Sequence, residues 1–409
     1  MKNIYWLCIF VFGCFVMCTR PSSAEILMMP VEVVTDSAGT GDGGNPWGGH
    51  QTRIVRTKDG VFTAYLVQGK GYKEKEWRLA WRIDNTWHVA AEGAAGREPV
   101  NLLALPDGTL NIIGFPEGKC TVWSGKPHDG KVDMLSMRVQ GINESFWPYN
   151  AAGIDSKGNI AIVASAGSKP GYFQWIYYSA KHKKWTPHSD ETDFRYCYSY
   201  VFPKKKNELF LVSNRDVTWD TLGYKKPGNK TFNYVFNQLR FWRTDNVNEK
   251  SLKNLAFIGE EPTEKFPDVY CCMSHNDCYL DTHNRMHILY RRSGETTLGK
   301  SQFRHAMFTS DGELLKDSEL PQGIGTYSDI FQDAKKRFYI LSSSGFLYPA
   351  GKDGFELGEP VKLDFDGHNV EYSGFGLSVP RTGTPLSNII DVVYPSRGGK
   401  EWIYFRLHL

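Results

Sequence analysis

Side chains able to grip an anion, stack on a flat ring or move a proton recur at one position of a repeated phrase in this sequence. They are Trp47 and His50, then Arg97, Tyr149, Arg195 with Tyr196, His275 with Asn276, and Tyr327. Trp147, Asp329, Tyr372 and Ser373 occupy the same position. Arg97 and Arg195 present planar guanidinium forks that match a carboxylate or sulfate, and the tryptophans and tyrosines offer faces on which sugar rings pack. His50 and His275 can take or release a proton near neutral pH. Each has a plain structural use as well: an ion pair with a neighbour such as Glu98 or Asp193, a filler between sheets, a satisfied histidine. Their convergence is what points to a ligand, and an acidic sugar suits this set best.

The phrase that aligns these residues is a strand, a short turn and a second strand, repeated about every 50 residues. Its copies begin at Ile54, Leu102, Ala151, Tyr200, Asp277, Asp329 and Gly376, with turns centred on Gly60, Gly108, Gly158, Asn207, Asn284, Lys336 and roughly Gly383. One step is irregular, the 77 residues between Asn207 and Asn284. The insertion around Asn214 to Pro267 is expected to wall the substrate pocket. A second, more aromatic hairpin follows most copies, at Trp77, Tyr172, Gln238 and Phe303. Alternating apolar residues flanked by turn formers read as half-buried antiparallel strands. Two hairpins per period make a four-stranded blade, so the expected fold is all-β, a seven-bladed β-propeller of four-stranded antiparallel blades. Val31 and its neighbours have no hairpin of their own and are expected to close the ring by adding a strand to the last blade. In such a ring, residues just before each innermost strand gather at one mouth of the central channel. That is where the residues named above fall.

Composition agrees: aromatics make up 14% of the chain, and there are 40 glycines among 409 residues. A net charge of +3 argues against nucleic acid, and lysine runs such as Lys204–Lys206 read as solvated turns. No cofactor motif is legible. Residues 1–24 read as a signal peptide: Lys2, an apolar run from Ile4 to Met17 too short to span a bilayer, then Ser22-Ser23-Ala24 before Glu25. Residues 25–409 are then one exported domain without a transmembrane segment, periplasmic or secreted; Met17 disfavours a lipoprotein at Cys18. Five cysteines remain, Cys120, Cys197, Cys271, Cys272 and Cys278, without metal-ligand spacing. They read as buried small residues, or as a source of a bridge from the 271–278 cluster. Asn143 and Asn229 begin glycosylation-type triplets.

The stretch GGNPWGGHQTRIVRTKDGVFTAYL, Gly43 to Leu66, with FRYCYSYVF around Arg195, resembles secreted seven-bladed carbohydrate enzymes. That group includes ulvan lyases and, nearer in pattern, α-L-rhamnosidases of gut bacteria that remove L-rhamnose from α-1,4-linked glucuronate on plant arabinogalactan. The resemblance implies a glycoside hydrolase with one catalytic histidine, whose counterpart is His50. It also implies a hydrolytic site on the face opposite the usual propeller mouth. Trp47, Arg97, Tyr149, Arg195, Tyr196, His275, Asn276 and Tyr327 are the expected substrate contacts, and the partner is an acidic, rhamnose-capped plant glycan.

Two alternatives remain. Ordinary glycosidases use two carboxylates, and no acidic pair is evident at the mouth, so a single histidine needs help from the substrate's own groups. The related lyases cleave the same kind of linkage by β-elimination, with Arg195 neutralising the uronate, His50 or His275 as base and Tyr149 or Tyr196 as acid. Their second histidine is replaced by Gln68 here. A non-catalytic propeller binding an acidic glycan would use the same aromatic and arginine pocket.

Overall fold

In the computed structural model the described residues are 26–41, 43–71, 74–142, 149–167, 170–204, 207–226, 228, 233–248, 251–260, 273–324, 327–370 and 374–409. They form a seven-bladed β-propeller, with antiparallel blades arranged in a ring. The innermost strands are Ile54–Thr57, Asn101–Ala104, Tyr149–Ile154, Tyr196–Lys204, Met273–Leu280, Ser328–Gln332 and Gly376–Leu377. The expected signal peptide, Trp147, Cys271, Cys272, Tyr372, Ser373, Asn143 and Asn229 lie outside the described residues.

Backbone geometry explains the repeat. Gly60, Gly108, Gly158, Asn207, Asn284 and Lys336 all adopt positive φ, at 132°, 85°, 84°, 64°, 61° and 63°. A tight hairpin needs a left-handed residue at this point, which glycine and asparagine supply at little steric cost. The outer hairpin of blade one turns through Asp84 and Asn85, both also at positive φ. Ring closure follows the expected route: Glu32–Thr35 and Leu27–Met28 pair with Glu401–His408, the third strand of blade seven. The N-terminal segment thus covers an edge that would otherwise be unpaired.

Blade seven departs from the repeat. Its inner strand is only Gly376–Leu377, and the chain then makes a 3-10 turn at Pro380–Thr382 before the long strand Ile389–Ser396. Gly383 caps that turn at φ 97°; a Cβ there would meet the Ala104 carbonyl oxygen at 1.9 Å, so only glycine fits. Pro380 and Gly383 together hold Arg381 in the central channel.

The core lies between neighbouring blades. Buried clusters join blades one and two through Phe62, Trp77, Leu102 and Ile112, and blades six and seven through Phe331, Phe338, Tyr394 and Phe405. Because each cluster is shared by two sheets, truncating one of these side chains costs about 2–5 kcal/mol. The insertion lengthens two strands of blade four, Glu208–Thr218 and Tyr234–Thr244, and packs a separate small cluster around Phe194, Val217, Trp219 and Val235.

Candidate functional site

The channel presents different chemistry at its two ends. At the face where inner strands begin, Arg97 lies over the Trp47 ring at 5.2 Å and pairs with the Glu98 carboxylate. Arg195 lies over Tyr149 at 5.6 Å and Tyr234 at 4.1 Å, and pairs with Asp216. Tyr234 comes from the insertion, which therefore contributes to this mouth. Glu98 and Asp216 also act electrostatically on Tyr149 and Tyr198. Two carboxylates thus stand at a mouth where the sequence offered no evident acidic pair. Each is held by an arginine, and burial keeps the Tyr149 phenol protonated, pushing its pKa up.

Tyr198 links this mouth to the channel interior. Its ring meets Tyr149 edge-on at 5.3 Å and His50 edge-on at 5.3 Å. The pairing register slips between Cys197 and Tyr200, and Tyr198 sits at φ 54°. A bulge re-aims side chains in this way, and a second one at Asn276, between His275 and Asp277, does the same in blade five.

His50 is 3% exposed, and its Nε2–H donates to the Asn150 carbonyl at 3.0 Å. Burial first, then the charges of His275 and Arg381, lower its pKa to about 3, so the imidazole is neutral near pH 7. His275 is held at about 4, chiefly by burial, and meets Tyr200 edge-on at 5.1 Å. Its Nε2 has no hydrogen-bond partner among the described residues. Asn276 contributes its carbonyl, which accepts from the Tyr200 hydroxyl at 3.1 Å.

One of the expected contacts, Tyr196, lies elsewhere, and Tyr327 stands just ahead of the inner strand of blade six. Tyr196 is buried between blades three and four, packed on Phe173 and Trp242, with its hydroxyl donating to Asp193. It sits next to the mouth residue Arg195, and strand alternation turns it outward into the blade packing. Tyr327 is half-buried; its backbone N–H donates to Ser343 Oγ, and its carbonyl accepts from the Ser343 N–H.

The opposite face, where inner strands end, holds a pocket of about 490 Å³. That volume falls in the range of about 300–1,000 Å³ usual for small-molecule sites. It reaches inward from Asp155 and Lys204 to Gly49, Gln51 and Thr52 on the segment carrying His50, and Asp277, Asp329 and Arg381 also line it. Arg381 donates to the His50 carbonyl at 2.9 Å and lies over Tyr200 at 4.6 Å. Among the described residues none from the insertion lines this pocket.

Asp277 accepts the Ile330 N–H at 2.9 Å, and Asp329 accepts the Phe375 N–H at 3.2 Å. Burial raises the pKa of both, and for Asp329 the Asp277 charge adds to the rise; Asp277 stands at about 6. The repeat identified Asp329 as a channel position, but Asp277 and Arg381 escaped it. Among the described residues no cluster of metal-binding side chains occurs, and the described cysteines Cys120, Cys197 and Cys278 are buried and not joined to one another by disulfides.

Fold and channel together define the class of seven-bladed propellers with a ligand-sized axial pocket. Among solved structures, the polysaccharide lyase Uly1 matches with a TM-score of 0.54 at 10% identity, over 93% of this chain and 99% of that one. An ulvan lyase bound to -[GlcA(1-4)Rha3S]- matches with a TM-score of 0.53 at 11% identity, over 91% and 94%. At such identities the likeness is one of fold. No protein-family model matches the sequence, and neither does any curated protein.

Proposed function

We propose that this chain is a carbohydrate-active enzyme that removes terminal L-rhamnose from glucuronate on acidic plant glycans, as an α-L-rhamnosidase acting in the strand-end pocket. The observation that carries the reading is the pocket itself: a cavity reaching the segment of His50, with the half-buried cation of Arg381 beside it. A cavity of this size suits the end of a sugar chain. Arg381 and Lys204 are cations suited to a uronate carboxylate. His50, the counterpart of the catalytic histidine in the enzymes this sequence resembles, stands between the pocket-lining residues Gly49 and Gln51.

β-Elimination is the second reading, favoured by one observation. At the strand-start mouth a neutral histidine, a protonated phenol and Arg195 lie along one path, from His50 through Tyr198 to Tyr149. These are the base, acid and carboxylate neutraliser that elimination requires. Asp216 already occupies Arg195, which weakens it as a neutraliser.

The test is incubation with a rhamnosyl-glucuronate disaccharide, following free rhamnose and the ultraviolet absorbance of an unsaturated uronate. Rhamnose without the chromophore supports hydrolysis, rhamnose with it means elimination, and neither product would sink the proposal.

A further inference from the structure

We propose that Asp277 and Asp329 together hold the proton delivered to the glycosidic oxygen of a sugar seated in the strand-end pocket. The inference rests on the hydrolytic reading above and supplies the acid that reading lacks, since a neutral His50 has no imidazolium proton to give.

The two carboxyls come from the inner strands of adjacent blades. Both line the pocket although they are only 8% and 6% exposed. They are neighbours, because Asp277 bonds the backbone of Ile330, the residue after Asp329. Each carboxyl also straps its blade to the next one through a backbone N–H. That strap does not need a carboxylate. In blade two Asn101 Oδ1 accepts the Ala152 N–H of blade three at 3.0 Å, and in blade four Asn214 Oδ1 accepts the His275 N–H of blade five at 3.3 Å. An amide makes the same bond without the cost of burying an ionisable group. Two buried carboxyls within electrostatic reach of each other, where asparagine would serve, favour keeping a proton on the pair even with the charges of Arg53 and Arg381 nearby, because burial and like charge both resist full ionisation.

A second observation marks this part of the pocket as a ligand site. Gln51 Oε1 and Thr52 Oγ1 belong to residues 2% and 1% exposed, line the same pocket, and have no hydrogen-bond partner among the described residues. Buried polar atoms without partners are costly, and sugar hydroxyls would satisfy both.

In the step proposed, a carboxyl O–H of the pair gives its proton to the glycosidic oxygen. The bond from that oxygen to the anomeric carbon breaks, its electron pair staying on the oxygen. Water adds to the anomeric carbon and returns a proton to the pair, which is doubly ionised and self-repelling after giving up its own. The sum is one water consumed, with one rhamnose and one uronate hydroxyl formed.

The experiment compares Asp277→Asn and Asp329→Asn with wild type on the rhamnosyl-glucuronate disaccharide. Both variants keep an oxygen for the strap and should fold with little change in melting temperature. kcat should fall about 10²–10⁴-fold, the range for loss of a general acid, with KM within about threefold. The wild-type fall of kcat toward alkaline pH should disappear in the variants. Wild-type kcat and its alkaline fall retained in both variants overturn the proposal while leaving the hydrolase reading standing. Absence of rhamnose from the wild type overturns both. A readout independent of variant folding is infrared titration of the wild type, where a protonated-carboxyl band should persist well above the ordinary carboxylate range; its absence also overturns the proposal.

Discussion

The strand-start mouth and the strand-end pocket are built from the same residue types but leave their charges in different states. At the mouth each arginine is cancelled by a carboxylate of its own blade neighbourhood, Arg97 by Glu98 and Arg195 by Asp216. In the pocket Arg381 gives a hydrogen bond to a backbone carbonyl, and the charges of Arg53 and Arg381 only partly offset the burial that raises Asp277 and Asp329 and the Asp277 charge that adds to the rise at Asp329. A locally neutralised arginine is poised to order aromatic walls. An excess of unresolved charge inside a low-dielectric cavity is what shifts proton affinities toward catalysis. On the proposed function this contrast makes the pocket the reactive end of the channel and the mouth its aromatic rim.

Four substitutions or conditions would break or sharpen that contrast. Replacing His50 with Ala should lower kcat for rhamnose release by about 10²–10⁴-fold; unchanged turnover would remove His50 from the mechanism. Arg381→Ala should lower kcat by on the order of 10²–10³-fold. It should also lower stability, because it removes a cation that offsets the buried Asp277 and Asp329 carboxyls. Steady-state kinetics and urea unfolding measure both. Arg195→Ala, at the mouth, should change KM by about tenfold or less and leave kcat within about twofold. A collapse of kcat there, with appearance of unsaturated uronate in the wild type, would move the chemistry to the mouth.

The smallest effect concerns pH. His50 and His275 are held near 3 and 4 in the folded chain, below the ordinary imidazole value of 6.5. The unfolded chain therefore binds more protons below about pH 6.5, and the stability gained by keeping these rings neutral is complete above that pH and lost as pH falls toward 3. Asp277, raised to about 6, works the other way between about 6 and 3.8. Relative to wild type, His275→Asn should gain on the order of 2 kcal/mol between pH 7 and pH 4.5 in urea unfolding. A pH-independent difference would show that burial does not depress that ring.

The architecture was legible because one backbone requirement repeats. Six turns need a left-handed residue, and the residues in register at Gly60, Gly108, Gly158, Asn207, Asn284 and Lys336 all take it. Ring closure by Val31 and its neighbours was legible because a strand without a hairpin must pair somewhere. The site was legible only in part. The repeat singles out Trp47 with Arg97 and Tyr149 with Arg195, which the fold does bring together. It missed Tyr198 because the bulge at Cys197 shifts side-chain direction by one residue, which alternation alone cannot reveal. It missed Arg381 because blade seven replaces the hairpin with a 3-10 turn, so Gly383 matched the period for a different reason: it caps that turn. Asp277 lay inside a strand phrase, where one polar residue looks like any other until its neighbour across the blade boundary is known.

The account turns on which end of the channel takes the sugar. A crystal structure of the Asp329→Asn variant soaked with rhamnosyl-glucuronate decides it. The account predicts the rhamnose ring in the strand-end pocket, its hydroxyls on Gln51 and Thr52 and its glycosidic oxygen against Asp277. A disaccharide resting instead on Trp47, Tyr149 and Arg195 with the pocket empty would contradict it.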